Sequence, residues 1–409
     1  MNFLRLLSRL VVGIVFIFSG VVKAIDPMGS TYKFLDYFTA FKLNFLGDLA
    51  LPLAIILCTA EFIAGFSVLT GYRYKYGVWA VMLLMIIFTP LTLVLALTNP
   101  VSDCGCFGDA VHLTNWQTFV KNVILMVFAI IIFTGKKPLN LIGPSKMEWS
   151  VVASLSALFI LFSFYNLRYL PVIDFLPYKQ GVYIPDKMII PEGKPVDQYK
   201  TTFIYEKDGV QKEFTLENYP YDDSTWVFVD QVSVLEKKGY EPPIHDFVIT
   251  SFQNEDLTDR ILYDDGYNML MISQKIEEAC EKNLQKGYEL GQHLNANGIN
   301  FYVVTASPAN MTGKSDADLI FCSGDETTLK TIVRSNPGYM LLKGGTIAGK
   351  WSTANLPEKE WFKDDIQAKQ IMRLSNKNGI ATVTIMALLL IIALMPLTRS
   401  IKRTNKIKL

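Results

Sequence analysis

Apolar residues concentrate in six long stretches, at residues 6–22, 49–69, 77–97, 113–133, 149–165 and 380–397, with short polar segments between most of them. A helix needs about 20 mainly apolar residues to cross the hydrocarbon core of a bilayer. Six membrane spans are therefore expected, the fourth and fifth having the shortest apolar cores. Between the fifth and sixth stretches the pattern changes. Residues 167–199 are irregular and hold Pro171, Pro177, Pro185, Pro191 and Pro195, which reads as a linker leaving the membrane. Two β-rich runs over 201–216 meet at Asp208-Gly209, a strong hairpin signal, and 226–229 reads as a further strand. From Ile244 strands and helices alternate. Strands are expected at 247–250, 268–272 and 300–304, helices at 274–297 and 325–335. A hairpin is expected from 339–342 and 346–351 across Lys343-Gly344-Gly345. That alternation implies a mixed sheet. The expected organisation is a four-helix membrane core over 1–140, a fifth span over 141–166, and a linker with a β-hairpin segment over 167–243. An α/β domain follows over 244–375, then a sixth span and a tail over 376–409.

Charge orients this arrangement. The net charge of +1 hides an acidic excess in residues 168–376 and a basic excess elsewhere. Arg5 and Arg9 precede the first stretch. Arg73 and Lys75 lie between the second and third, and Lys136, Lys137 and Lys146 between the fourth and fifth. Arg399, Lys402, Arg403, Lys406 and Lys408 follow the sixth. Cytoplasmic loops concentrate Lys and Arg, so six spans place both termini in the cytoplasm. The loop holding Asp103 and Asp109, and the acidic domain over 167–378, then fall in the periplasm. The first stretch has a signal-peptide look, but Lys23 spoils the small-residue cleavage pattern, so it is read as a retained span. A mean hydropathy of +0.26 fits a membrane chain rather than a disordered one. No basic, aromatic-interleaved patch marks the acidic middle, which argues against nucleic acid as a partner. Membrane lipids and a periplasmic protein client or membrane-complex partner are the expected contacts.

Candidate chemistry is sparse. Five cysteines are too few for a disulfide scaffold. Cys104 and Cys106 flank Gly105 in the acidic loop, on the side where disulfides form and persist. A bond between them closes a very small ring, and strained, exposed disulfides are the labile, catalytic ones. The alternative is a tight turn capping two helices, or half a metal site. With only His112 nearby, the four ligands a zinc site wants are missing, and no metal is expected. Glu61 lies mid-span and Lys23 ends the first span. Intramembrane charges usually face the bundle interior and mark function. Lys23 alternatively snorkels to the interface, and Glu61 alternatively makes a structural interhelical hydrogen bond. The other histidines, His245 and His293, are scattered, and no phosphate loop, dinucleotide fingerprint or nucleophile elbow occurs. Cys58 inside the second span reads as packing.

Two resemblances follow from these motifs. Phe18-Ser19-Gly20, Lys23 and Asp26-Pro27, with Glu61, Gly65 and Gly71, resemble the first helices of DoxX-like membrane proteins. Asp103-Cys104-Gly105-Cys106-Phe107-Gly108 is similar to the loop of the MauE branch. The resemblance covers about 1–140. It implies a four-helix bundle associated with quinone-linked electron transfer or envelope disulfide formation, with Cys104 and Cys106 as the redox pair and a quinone as the cofactor. Ser335-Asn336-Pro337-Gly338-Tyr339 and the following Leu341–Ile347 stretch resemble the back half of thioredoxin-like domains. That implies a cis Pro337 and a partner- or client-binding surface at Asn336 and Pro337. The combination resembles a Bacteroidota type. No Cys-x-x-Cys occurs, so the thioredoxin-like unit is expected to be redox-inactive. Cys280, placed about two turns into the expected helix beside Glu278 and Glu281, and Cys322, ahead of a helix, are the lone thiols to consider there. The expected function is an inner-membrane envelope-biogenesis factor that acts in thiol–disulfide or quinone-linked redox chemistry through the Cys104–Cys106 loop. The alternative is a non-enzymatic accessory subunit of a secretion or translocation complex.

Overall fold

The structure is a computed structural model that describes residues 3–101, 103–135, 145–311, 319–363, 366 and 369. The expected sixth span at 380–397, its basic tail, and Lys136 and Lys137 lie outside the described residues. Five described helices are long and apolar enough to cross a membrane. The membrane part comprises α1 (Phe3–Ile25), α2 (Pro27–Ala40), α3 (Ala50–Thr70), α4 (Tyr74–Thr98), α5 (Asn115–Phe133) and α6 (Ser145–Tyr169). Helix α2 was not anticipated, because it is too short and too polar to read as a span. Its start is nonetheless written locally: Pro27 occupies the first turn, and the Asp26 carboxylate accepts from the Gly29 amide at 2.8 Å. Thr114 and Gln117 form a capping box at the head of α5.

Helices α1 and α3 approach closely because glycine lies on both. A Cβ on Gly20 would sit 2.7 Å from the Cys58 carbonyl oxygen, and one on Gly65 would sit 2.8 Å from that of Gly13. Small residues of this kind let membrane helices meet backbone to backbone. Phe62 of α3 stacks on Phe159 of α6, ring centroids 4.2 Å apart.

The segment expected as a linker is instead structural. It forms the short helix α7 (Ile184–Met188), and Leu170, Tyr178 and Ile184 are buried with Ile244, Phe247 and Ile261. Its prolines disguise core residues that have no helical or strand period. Next come β1 (Gln198–Lys207), β2 (Val210–Thr215) and β3 (Val227–Lys237), an antiparallel sheet in the order β2-β1-β3. Asp208 and Gly209 both take positive φ (52° and 78°), as the expected tight hairpin requires. Every residue of β3 is exposed.

The α/β unit contains β4 (Thr250–Ser251), α8 (Thr258–Leu262), β5 (Tyr267–Ser273), α9 (Glu281–Ala296), β6 (Asn300–Thr305), β7 (Ile320–Ser323), α10 (Glu326–Ile332), β8 (Gly338–Lys343) and β9 (Thr346–Ser352). They form a six-stranded sheet in the order β4-β7-β6-β5-β8-β9. Strands β5, β6 and β7 are parallel; β8 runs antiparallel to β5, and β9 folds back antiparallel to β8 as a hairpin. Apolar clusters cover both faces. Two expectations shift. The strand at 247–250 shrinks to Thr250–Ser251, because the Ile249 amide donates to the Thr258 hydroxyl rather than to a ladder. The helix expected from 274 begins at Glu281. The Ile276 amide is taken by Ser307 and the Lys275 carbonyl by Asn336, so tertiary bonds hold this backbone out of the helix. The Asn336–Pro337 bond is cis, as expected.

The α/β unit rests on the end of the bundle where α1, α4 and α6 finish. The Ser352 hydroxyl donates to the Arg168 carbonyl at 2.7 Å, and Arg334 reaches Asp26 and Asp109. The Cys104–Cys106 loop is therefore at the same end of the bundle as the α/β unit.

Candidate functional site

Lys23 and Glu61 meet inside the bundle. The Lys23 ammonium donates to both Glu61 carboxylate oxygens at 2.8 Å and to the Ser19 hydroxyl at 2.9 Å. Lys23 is 7% exposed and Glu61 3%, so Lys23 does not snorkel. The reason is local: Lys23 and Ser19 are one turn apart on α1, and the glycine-lined contact with α3 brings Glu61 to the same level. All three ammonium protons are used, which is what a buried charge requires. Ser19 also lies 2.8 Å from the Cys106 carbonyl oxygen, joining the buried pair to the cysteine loop.

The loop is built around positive-φ glycines, Gly105 (64°) and Gly108 (51°), a conformation that costs glycine little. The Asp103 carboxylate accepts from the Gly105 amide at 2.8 Å and pairs with Lys33 at 3.1 Å. The Tyr37 hydroxyl donates to the Cys104 carbonyl at 2.5 Å. Phe107 packs edge-on against Phe18, and the Lys121 ammonium lies 4.3 Å from the Phe107 ring centre. The Cys104 and Cys106 sulfurs are 3.1 Å apart. Their acidities are split. The Cys104 thiol is pushed up, first by its hydrogen bond to Cys106 and then by burial. The Cys106 thiol is lowered to about 6 by that same hydrogen bond and by Lys121 and Lys23, against the opposing effect of burial. Cys106 is thus the more acidic of the two thiols. Beneath the pair is a cavity of about 120 Å³, mostly apolar, whose polar lining includes Lys23, Glu61, Lys121 and Asn122.

The α/β unit uses its expected contact residues internally. Asn336 accepts from the Ser273 hydroxyl and donates to the Lys275 carbonyl, while the Pro337 carbonyl accepts from the Ser335 and Thr353 hydroxyls. Cys280 is not two turns into a helix: it is the exposed N-cap of α9, a consequence of the late helix start. Cys322 is fully buried in β7, and burial pushes its thiol up to about 12, away from the thiolate form. Cys58 is buried core. Sequence reasoning missed Ser19, Tyr37 and Lys121 as neighbours of the pair. It also missed Arg334, which no local pattern distinguishes from a surface cation. Asp26 and Asp109 had been noted only as a motif position and a loop charge.

Residues 1–135 match the family described as methylamine utilisation protein MauE, and residues 199–238 match a domain of unknown function (DUF8463). No curated protein and no solved structure matches the chain. The stretch similar to the MauE family holds four of the five described apolar helices, and the chain is a MauE-like, multi-pass membrane protein.

Proposed function

We propose that this chain is a bacterial inner-membrane protein that performs thiol–disulfide exchange through Cys104 and Cys106. Both termini are cytoplasmic, and residues 167–378 are periplasmic. The α/β unit is read as thioredoxin-like, supported by the order β6-β5-β8-β9, the helix after β5 and the cis Pro337 before β8. It lacks the dithiol of that fold and serves as a binding unit. The observation that carries the reading is the close sulfur pair lying over a cavity that also meets the buried Lys23–Glu61 pair.

In the disulfide form, a client thiolate attacks the Cys104 sulfur. The Cys104–Cys106 bond breaks, and Cys106 leaves as the thiolate that Lys121 and Lys23 favour; a thiol of lower pKa leaves faster. A second client thiolate then attacks the client sulfur of the mixed disulfide and releases Cys104. The client dithiol is oxidised by two electrons, and the Cys104–Cys106 bond is reduced by two. A quinone bound in the cavity supplies the acceptor for those two electrons and two protons. The cavity fits such a group: its walls are largely apolar, and Lys23, Lys121 and Asn122 offer donors to carbonyl oxygens. Purified, reduced protein mixed with a soluble ubiquinone analogue should lose two free thiols per chain and form one quinol. Cys104→Ser with Cys106→Ser should abolish both changes. Retention of the thiols in the wild-type protein would sink the reading.

The uncovered strand β3 favours a second reading, in which the chain is an accessory subunit of a membrane complex. Val227, Phe228, Val232 and Val234 are exposed on an open sheet edge, and such edges invite strand pairing. Stoichiometric co-purification with membrane partners that survives loss of both loop cysteines would favour it.

A further inference from the structure

We infer that Arg334 is a positioning residue for the Cys104–Cys106 loop, so that the α/β unit sets the reactivity of the membrane dithiol. The inference rests on reading that pair as the redox site. Arg334 lies between α10 and the cis proline, and its side chain leaves the α/β unit to enter the bundle. Its Nε donates to Asp26 at 2.9 Å, one Nη donates to Asp109 at 2.6 Å, and the other donates to the Lys330 carbonyl at 2.7 Å. Its face lies 5.2 Å from the Tyr32 ring centre. Every side of the guanidinium is occupied, as a buried arginine requires.

The two carboxylates belong to different parts of the site. Asp26 caps α2 directly after α1, three residues beyond Lys23. Asp109 lies in the cysteine loop, three residues beyond Cys106. The carboxylates crowd one spot: a Cβ on Gly29 would lie 2.6 Å from an Asp26 oxygen and 3.0 Å from an Asp109 oxygen. Two like charges this close, one buried and one half-buried, repel unless a cation lies between them. Lys33 at Asp103, Tyr37 at Cys104, Ser19 at Cys106 and Arg334 at Asp109 anchor the loop, and of these four Arg334 is the one that comes from outside the bundle. Removing it leaves the Asp26–Asp109 repulsion to push the loop off the cavity.

The test reads thiol chemistry rather than turnover, so it stands whether or not a quinone is the acceptor. Iodoacetamide labelling of reduced, full-length protein in nanodiscs gives the alkylation rate of the pair and its pH profile. Arg334→Met should change the rate roughly tenfold, the scale of one lost charge-assisted hydrogen bond, and should move the midpoint of the profile. Adding Asp109→Asn to Arg334→Met should restore much of the wild-type behaviour by removing the repulsion. Ser352→Ala loses the 2.7 Å hydrogen bond to the Arg168 carbonyl, a docking contact at the end of α6 that touches neither Arg334 nor the loop, and should leave the labelling unchanged. An unaltered rate and profile in Arg334→Met, or an equal shift in Ser352→Ala, overturns the inference. Should Arg334→Met not fold, Arg334→Lys keeps a cation but loses the planar fork that reaches both carboxylates, and an unaltered rate and profile there overturns the inference equally.

Discussion

At the scale of the residue, the buried Lys23–Glu61 pair is held by complete satisfaction rather than by attraction alone. Losing one partner strands a charge in an apolar interior, which costs about 3–5 kcal/mol, whereas replacing both with apolar groups is often neutral. Lys23→Met should therefore lower thermal stability in detergent sharply, and Lys23→Met with Glu61→Leu should recover most of it. Both charges were legible in the sequence, because ionisable residues inside apolar stretches are rare. Ser19, which links the pair to the loop, was legible only as a motif position, because a serine on a membrane helix does not name its partner. The split acidity of the cysteines gives a second expectation. Cys106 is depressed to about 6 by Cys104, Lys121 and Lys23, so alkylation of the reduced pair should rise through that pH rather than near about 8.5, the value of a free thiol. The sign carries over to stability. The gain from this thiolate is full above the unfolded thiol's pKa and is lost as pH falls through about 6. Thermal unfolding of the reduced protein across that window, against Cys106→Ser, measures it.

At the scale of the element, the glycine-lined contact of α1 with α3 decides whether the site assembles. Gly20→Leu would drive a side chain into the Cys58 carbonyl and the Phe62 amide. It should cost at least the roughly 1–3 kcal/mol typical of overpacking, and should separate Lys23 from Glu61. Gly47→Ala, whose Cβ would meet only Leu35 at 3.8 Å, should be tolerated; thermal unfolding of the two variants side by side checks the contrast. Elements with strong local patterns were readable: five spans, the Asp208-Gly209 hairpin, and strands β5, β6, β8 and β9. The failures share a cause. Helix α9 starts late because Ser307 and Asn336 take the preceding backbone groups, and residues 170–184 join a core through contacts distant in sequence. Neither influence leaves a periodic trace in the chain.

At the scale of the whole molecule, the common end shared by the cysteine loop and the α/β unit makes compartment a single question. A membrane-impermeant maleimide applied to spheroplasts should label Ser224→Cys and spare Lys75→Cys; the reverse would invert the proposed orientation. The manner of attachment has a further consequence. Helix α6 ends at Tyr169, and Leu170 is already buried in the α/β core, with no slack chain between them. Association of the two units is therefore unimolecular, and its effective concentration is at least that of a short linker, in the millimolar range or above. A bridge as small as one arginine between two aspartates suffices under those terms. Supplied as separate polypeptides at micromolar concentration, the same surfaces would lose that advantage and spend most of their time apart.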